Sequence, residues 1–163
     1  MPLLLAVTGC LETVFDITTD ERLVRVPRSS KAEFEVDTGR IELPTKLGTD
    51  KVIERVVLQL EGTNLNEENP VTVDISAASS LEPNTFRPIA TFDIDADAVR
   101  SIEVVQTDPN DALVLATQSD FVNIRFESRS PRPGIGEIEF RFTIRVLAHK
   151  RTPGTGAGTL LFF

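Results

Sequence analysis

The chain lacks tryptophan and tyrosine altogether, and its 163 residues include one cysteine and one histidine. One cysteine cannot form an internal disulfide framework, and single Cys and His residues cannot supply a Cys-based or His-rich zinc site. Aromatic rings with a polar group are common on sugar-binding and peptide-binding surfaces, so their absence weakens a lectin interpretation. The ten phenylalanines are therefore interpreted as core residues.

Long apolar runs and excess positive charge are also missing. No stretch of eighteen or more apolar residues occurs, so the sequence predicts no membrane-spanning helix. The chain has 17 Lys and Arg against 25 Asp and Glu, a net charge of −8. Binding to nucleic acid or adsorption to anionic lipid needs clustered basic residues. We therefore expect no nucleic-acid partner, and the length predicts a single domain.

Alternation of apolar and polar residues is the dominant pattern, and it places apolar side chains on one face of a strand. It is clearest from Ile138 to Ala148. The same period recurs at residues 32–37, 56–61, 71–76, 90–95 and 122–127, with shorter candidates at 13–18, 22–26, 40–43 and 101–105. Glycine, proline and asparagine separate these segments, as between Gly62 and Pro70. The pattern predicts an all-β protein, an antiparallel β-sandwich of about seven to nine strands with an immunoglobulin-like arrangement.

Two segments could be helical. Residues 50–59 fit one helix face, but their β-branched residues favour a strand. Asp108 followed by Pro109 is typical of a helix start. The sequence therefore predicts at most one short helix, near 109–118, with Ala112 to Gln118 as its body.

The only cysteine follows an apolar stretch and two small residues, as Val7-Thr8-Gly9-Cys10. This segment resembles the lipobox of bacterial lipoprotein precursors. The resemblance implies cleavage after Gly9, diacylglyceryl attachment to the Cys10 sulfur, and a membrane anchor through that lipid. A signal peptide normally opens with basic residues, which Met1-Pro2 lacks, and a start codon placed too far downstream would explain this. The alternative is that Leu3 to Leu11 forms an ordinary first strand with a buried thiol.

A second pattern lies between Ile53 and Ser79. Leu58, Leu60 and Asn64 lead through a turn to the Asn69-Pro70 pair, and Val71, Val73 and Ile75 follow. This spacing resembles exported bacterial lipoproteins with immunoglobulin-like sandwiches, including those similar to late-embryogenesis-abundant proteins. The resemblance supports the fold and implies no activity.

The expected organisation has three parts: a signal-peptide remnant at 1–9, a sandwich domain at 10–152, and a glycine-rich linker with an apolar tail at 153–163. The tail carries Leu160, Leu161, Phe162 and Phe163. Left in water, such a segment would promote aggregation. We expect it to fold back as an edge strand, to pack on the core, or to dock on a partner.

Asp93, Asp95 and Asp97 form a run of alternating carboxylates that could supply calcium ligands. The EF-hand pattern fails, because Ala98 and Val104 stand where glycine and glutamate are needed. The alternative interpretation is a solvated strand face.

No catalytic set accompanies His149, which is predicted to be an exposed residue at a strand end with no nucleophile elbow in the sequence. We therefore expect a non-enzymatic, lipid-anchored module of the cell envelope, in the outer membrane if the source has two membranes. It would bind another protein, self-associate or contribute to a surface assembly. The alternative is a calcium- or polysaccharide-binding module that uses the Asp93, Asp95 and Asp97 face, with calcium as the only cofactor considered.

Overall fold

The computed structural model describes residues 13–44, 47 and 51–150, and in this part of the chain it contains nine strands and one helix. The predicted signal remnant, Cys10 and the 153–163 segment lie outside the described residues. The elements are β1 (Thr13–Thr18), β2 (Arg22–Val26), β3 (Glu33–Asp37), β4 (Lys51–Asn64), β5 (Val71–Ser79), β6 (Arg87–Ile94), β7 (Ala98–Gln106), α1 (Ala112–Thr117), β8 (Val122–Arg129) and β9 (Ile138–Lys150).

The strands form two antiparallel sheets packed face to face. Sheet 1 has the order β1-β9-β4-β7, and β2 also pairs with β9, beside β1 along the same strand. Sheet 2 has the order β3-β8-β5-β6. The predicted antiparallel sandwich of seven to nine strands with one short helix is confirmed.

The chain crosses between the two sheets at most connections, and only β1 to β2 and β5 to β6 remain in one sheet. The last strand, β9, lies inside sheet 1 between β1 and β4. In an immunoglobulin domain the last strand instead lies in the sheet that holds strands C and F. The order here is that of a jelly roll, a sandwich built from two Greek keys, rather than the immunoglobulin-like order that the sequence suggested.

The core lies between the sheets and is centred on phenylalanine. Phe126 from sheet 2 stacks on Phe140 from sheet 1 with ring centroids 4.5 Å apart, and Phe142 lies 5.7 Å from Phe126. Every second residue of β9 from Ile138 to Ala148 is buried, as the alternation predicted. The interpretation of phenylalanine as a core residue is confirmed for these three, whereas Phe86 lies on the outer face of sheet 2 beneath the Arg125 guanidinium.

Several element boundaries differ from those expected. Residues 51–64 form one strand, β4, with a bulge between Ile53 and Arg55, so the helical alternative for 50–59 is wrong for the described residues. Helix α1 begins at Ala112, because residues 108–111 form a turn in which the Asp111 backbone N–H donates to the Asp108 carbonyl. The expected strand at 40–43 is reduced to a single bridge between Ile41 and Val122.

Candidate functional site

The outer face of sheet 1 is the most apolar surface in the described part of the chain. Seven large hydrophobic residues are exposed, and five of them point outward from this sheet. The five are Val14, Leu23, Val52, Val99 and Val105. Each lies at the opposite phase from a neighbouring residue that is buried or packs against the core, which places all five on the side away from the core.

Strand register places three of the five, Val14, Val52 and Val105, toward the end of sheet 1 at which β9 ends. Val14 and Val52 flank His149 in adjacent strands, and one row further along Leu147 is half-buried on the same face. Val57 pairs with Val105, so a second pair of valines continues the apolar surface to the edge strand β7. The arrangement is a band of aliphatic side chains across the sheet, of the kind that marks an interaction surface.

An ion pair between Arg145 and Asp16 lies on the same face, among the aliphatic side chains. The Arg145 Nε and Nη2 atoms donate to the two carboxylate oxygens of Asp16 at 2.8 and 2.6 Å. The hydrogen bonds from Arg145 lower the pKa of Asp16 below its usual value, and Asp16 in turn raises the pKa of Arg145. A shallow depression of about 510 Å³ lies beside this band, lined by side chains that include Gln59, Glu103 and Arg141.

The outer face of sheet 2 has a different character, because its surface is covered by ion pairs. Arg125 donates to both carboxylate oxygens of Asp37 at 2.7 and 3.0 Å and lies 3.3 Å from Glu35. Its guanidinium also stacks over the ring of Phe86 at 3.8 Å. The hydrogen bond to Asp37 is the main cause that raises the pKa of Arg125. None of the seven exposed large hydrophobic residues lies on this face.

The structure gives the three predicted calcium-binding carboxylates different positions. Asp93 points outward from β6, and its carboxylate accepts a hydrogen bond from the Thr72 hydroxyl at 2.6 Å. Asp95 and Asp97 follow the strand, and Asp97 adopts a φ of 50°. Among residues 13–44, 47 and 51–150, no three His, Cys, Asp or Glu side chains lie close enough together to hold a metal ion. Calcium binding by these residues stays a prediction.

His149 lies at the strand end but is not freely exposed, since 13% of its side-chain surface is accessible. Its Nδ1 atom is 3.0 Å from the Glu54 carboxylate, which the β4 bulge brings alongside. This contact holds the imidazole against β4, which accounts for its low exposure.

An asparagine cluster is the polar feature that the sequence analysis missed. Asn64 is fully buried, and its amide donates to the carbonyls of Asn69 and Asp95 at 2.8 and 3.2 Å. Asn66 donates to the Gly134 carbonyl at 2.9 Å and accepts from the backbone of Asn69. These hydrogen bonds connect three loops, so the cluster stabilises one end of the sandwich. The pair Asn64 and Asn69 was visible in the sequence, but only as a turn.

Cys10 and the residues from Leu160 to Phe163 lie outside the described residues, although the structure shows where their segments join the fold. Thr13, the first residue of β1, pairs with Lys150, the last residue of β9. Thr13 and Lys150 therefore lie at the same end of sheet 1. In the described ranges, no helix has the length and apolar character needed to cross a bilayer.

Comparisons with known proteins give no family. No family model matches the chain, and no curated protein matches it. Two solved structures of infectious bursal disease virus are weakly similar. The Gx strain structure has a TM-score of 0.38 at 10% identity, over 89% of this chain and 38% of that one. The VP2 subviral particle has a TM-score of 0.35 at 9% identity, over 87% of this chain and 37% of that one. This chain thus spans well under half of each viral chain, and these weak likenesses carry no functional argument.

Proposed function

We propose that this protein is a non-enzymatic, lipid-anchored module of the cell envelope that binds another protein through the outer face of sheet 1. The observation that carries the binding proposal is the asymmetry of the two outer faces. One displays the aliphatic band of Val14, Val52 and Val105, and the other is covered by ion pairs. Apolar surface exposed in a contiguous patch is characteristic of sites where proteins associate.

The anchoring proposal is supported by the resemblance at Val7 to Cys10 and by the way the chain enters the fold. Only two residues separate Cys10 from Thr13, so the lipidated sulfur would lie within about 15 Å of the start of β1. Two or three acyl chains on one cysteine give stable membrane attachment. The sandwich would therefore be held close to the lipid surface, on the outer membrane if the source has two.

The anchoring is tested by intact-mass spectrometry of the protein purified from its own host's membranes. Loss of Met1 to Gly9 together with a diacylglyceryl group on Cys10 is the expected result. An unmodified mass that still contains these nine residues would overturn the lipid anchor, and the protein-binding proposal would then stand alone.

Protein binding is tested by photo-cross-linking in the native host. A photoreactive residue at Val14 or Val52 should give a discrete higher-mass adduct, because both side chains lie on the aliphatic band. The matched control is Thr91, an exposed residue on the outer face of sheet 2, which should give none. Equal adducts from both faces, or none from either, would contradict the assignment of this face.

The alternative is a calcium- or polysaccharide-binding module. Asp93 and Asp95 both line a groove of about 610 Å³ beside Arg129, which is the feature that favours it. A ligand of the folded state raises the melting temperature. A rise with millimolar calcium that Asp93→Asn and Asp95→Asn abolish would support this function, and unchanged melting would exclude calcium.

A further inference from the structure

The free edge of β7 is the least protected strand edge in the described part of the sandwich. β7 is nine residues long, contains no proline, and pairs with β4 from Val56 to Asn64 without a register shift. The other edges carry features that discourage pairing. β3 is five residues long and presents three carboxylates, β6 contains Pro88 and a register shift against β5, and β1 and β2 are short. β7 carries the charged residues Arg100 and Glu103, but it is long, regular and free of proline, as an edge that accepts an additional strand must be.

Apolar side chains border this edge on both sides of the sheet. Val99 and Val105 are 60% and 50% exposed on the outer side. On the inner side, Ile102 and Val104 pack against the core but are only partly buried. An added strand that was apolar on one face only would leave one of these borders uncovered. The edge therefore fits a strand with apolar residues on both faces.

The C-terminal segment of this chain has that composition. Leu160, Leu161, Phe162 and Phe163 are consecutive apolar residues, so as a strand they would present Leu and Phe to both sides. Most strands at the surface of a sandwich alternate instead, as β9 does. The absence of alternation in this segment matches the double apolar border of β7.

The direction of the chain is also suitable. β7 and β9 are both antiparallel to β4, so they run in the same direction. Val56 pairs with Gln106 on one side and Val146 on the other, which places Lys150 four residues beyond the end of β7. A segment that returned from Lys150 along the β7 edge would therefore be antiparallel to β7.

The connecting residues are long enough for this path. Three strand spacings of about 4.8 Å and four residues of axial offset place the start of an added strand about 20 Å from Lys150. The eight residues from 151 to 158 can span at most about 30 Å. The path can thus be made within one molecule.

We propose that the segment from Leu160 to Phe163 binds as an antiparallel strand to the free edge of β7 in the same molecule. This inference does not depend on the lipid anchor or on the outer-face partner. The docked segment would complete sheet 1 on its open side, cover Ile102 and Val104, and close an edge that would otherwise pair with other chains.

The test measures hydrogen exchange in solution for the full chain and for a serine variant. In the variant, serine replaces all four apolar residues, Leu160, Leu161, Phe162 and Phe163. About half of the β7 amides point to the free edge, because alternate residues bond to β4. In the full chain these amides should exchange at least about tenfold more slowly than in the variant. The amides of β6, at the opposite sheet's edge, are the internal reference and should not change. Equal exchange of the β7 amides in both proteins would overturn the proposal.

A linker variant separates docking within one molecule from docking between two. Deleting residues 154–158 leaves a connection of at most about 14 Å, too short for the path, so protection of β7 should be lost although the apolar residues remain. Replacing the same five residues with a Gly-Ser sequence of equal length is the matched control and should retain protection. If the shortened chain instead forms dimers with β7 still protected, the segment docks on a neighbour and the same-molecule proposal is wrong. If the serine variant differs from the full chain only in binding to phospholipid vesicles, lipid is the site and the proposal also fails.

Discussion

Asn64 shows how a single side chain can hold a sandwich end together. Its amide donates to two carbonyls in different loops, and its Oδ1 accepts from the backbone N–H of Asn66. Replacing it with alanine removes all three hydrogen bonds, of which the one to the Asn69 carbonyl is buried. A buried group left without a partner costs about 1–3 kcal/mol, and the two partly buried groups add less. We expect Asn64→Ala to lower the free energy of unfolding by about 2–4 kcal/mol in urea denaturation. Asn110→Ala, at an exposed turn, is the control and should cost under about 0.5 kcal/mol. A similar loss in both variants would contradict this role.

Ser128, in contrast to Asn64, has a buried hydroxyl that does not stabilise the fold. It is 1% exposed, and its Oγ has no hydrogen-bond partner within the described residues. Removing an unsatisfied polar atom from an apolar interior removes a desolvation cost. We predict that Ser128→Ala leaves stability unchanged or raises it by about 1 kcal/mol, measured by the urea midpoint. A loss of more than about 1 kcal/mol would mean that the hydroxyl is bonded in solution.

Asp16 gives the fold a pH dependence whose sign follows from its partner. Arg145 lowers the pKa of Asp16 below the ordinary value of 3.8. The unfolded chain therefore binds a proton more readily than the folded chain, and the stability that the pair contributes is present above about pH 4. It is lost as the pH falls through the lowered pKa of the folded state. Asp16→Asn should reduce stability at pH 7 and converge with the parent protein in strong acid.

Melting curves between pH 2 and 7 check this expectation. Asp20→Asn removes the same charge two residues beyond β1 and is the matched control. A constant difference between Asp16→Asn and the parent protein down to pH 2 would show that the ion pair is not the source of the effect.

At the level of elements, the alternation of apolar and polar residues predicted the strands that have one buried face. It failed where contacts between residues distant in the sequence determine the structure. The inward residues of β9, from Ile138 to Ala148, were identifiable because their alternation is unbroken. Helix α1 begins later than its capping residues suggested, since Asp108 and Asp111 are used in a turn and Gln106 accepts from the Leu113 N–H. The jelly-roll order could not be read from the sequence, because it depends on pairings such as β1 with β9 across the whole chain.

The exposed apolar face of sheet 1 also could not be predicted from the sequence. Val99 and Val105 belong to a strand whose residues on the other side, Ile102 and Val104, are also apolar. Sequence alone cannot say which side of such a strand faces water, because either phase is compatible with burial. The register against β4 determines which side faces water, because it places Val105 opposite Val57 on the outer face.

An aromatic pair lies in the contact between the two sheets. Phe126 of β8 stacks on Phe140 of β9 at an interplanar angle of 7°, and both are fully buried. Phe126→Ala should destabilise the protein by about 3–5 kcal/mol, because it removes a large buried side chain from between the sheets. Phe86→Ala removes the same side chain from the outer face of sheet 2, under Arg125, and should cost about 1 kcal/mol. Comparable losses in the two variants would contradict the central position of Phe126.

At the scale of the whole molecule, both sheets contribute to one continuous hydrophobic cluster. Ile144 of sheet 1 and Ile75 of sheet 2 belong to it, as does Leu113 of α1. Neither sheet can bury its inner face without the other, so partial unfolding would expose the whole cluster. We therefore predict a single cooperative unfolding transition in urea. Far-UV circular dichroism and the methyl NMR signals of Ile75 and Ile144 should give one midpoint. Separate midpoints for the two isoleucines would show that the sheets are independent units, and one shared core would no longer describe the fold.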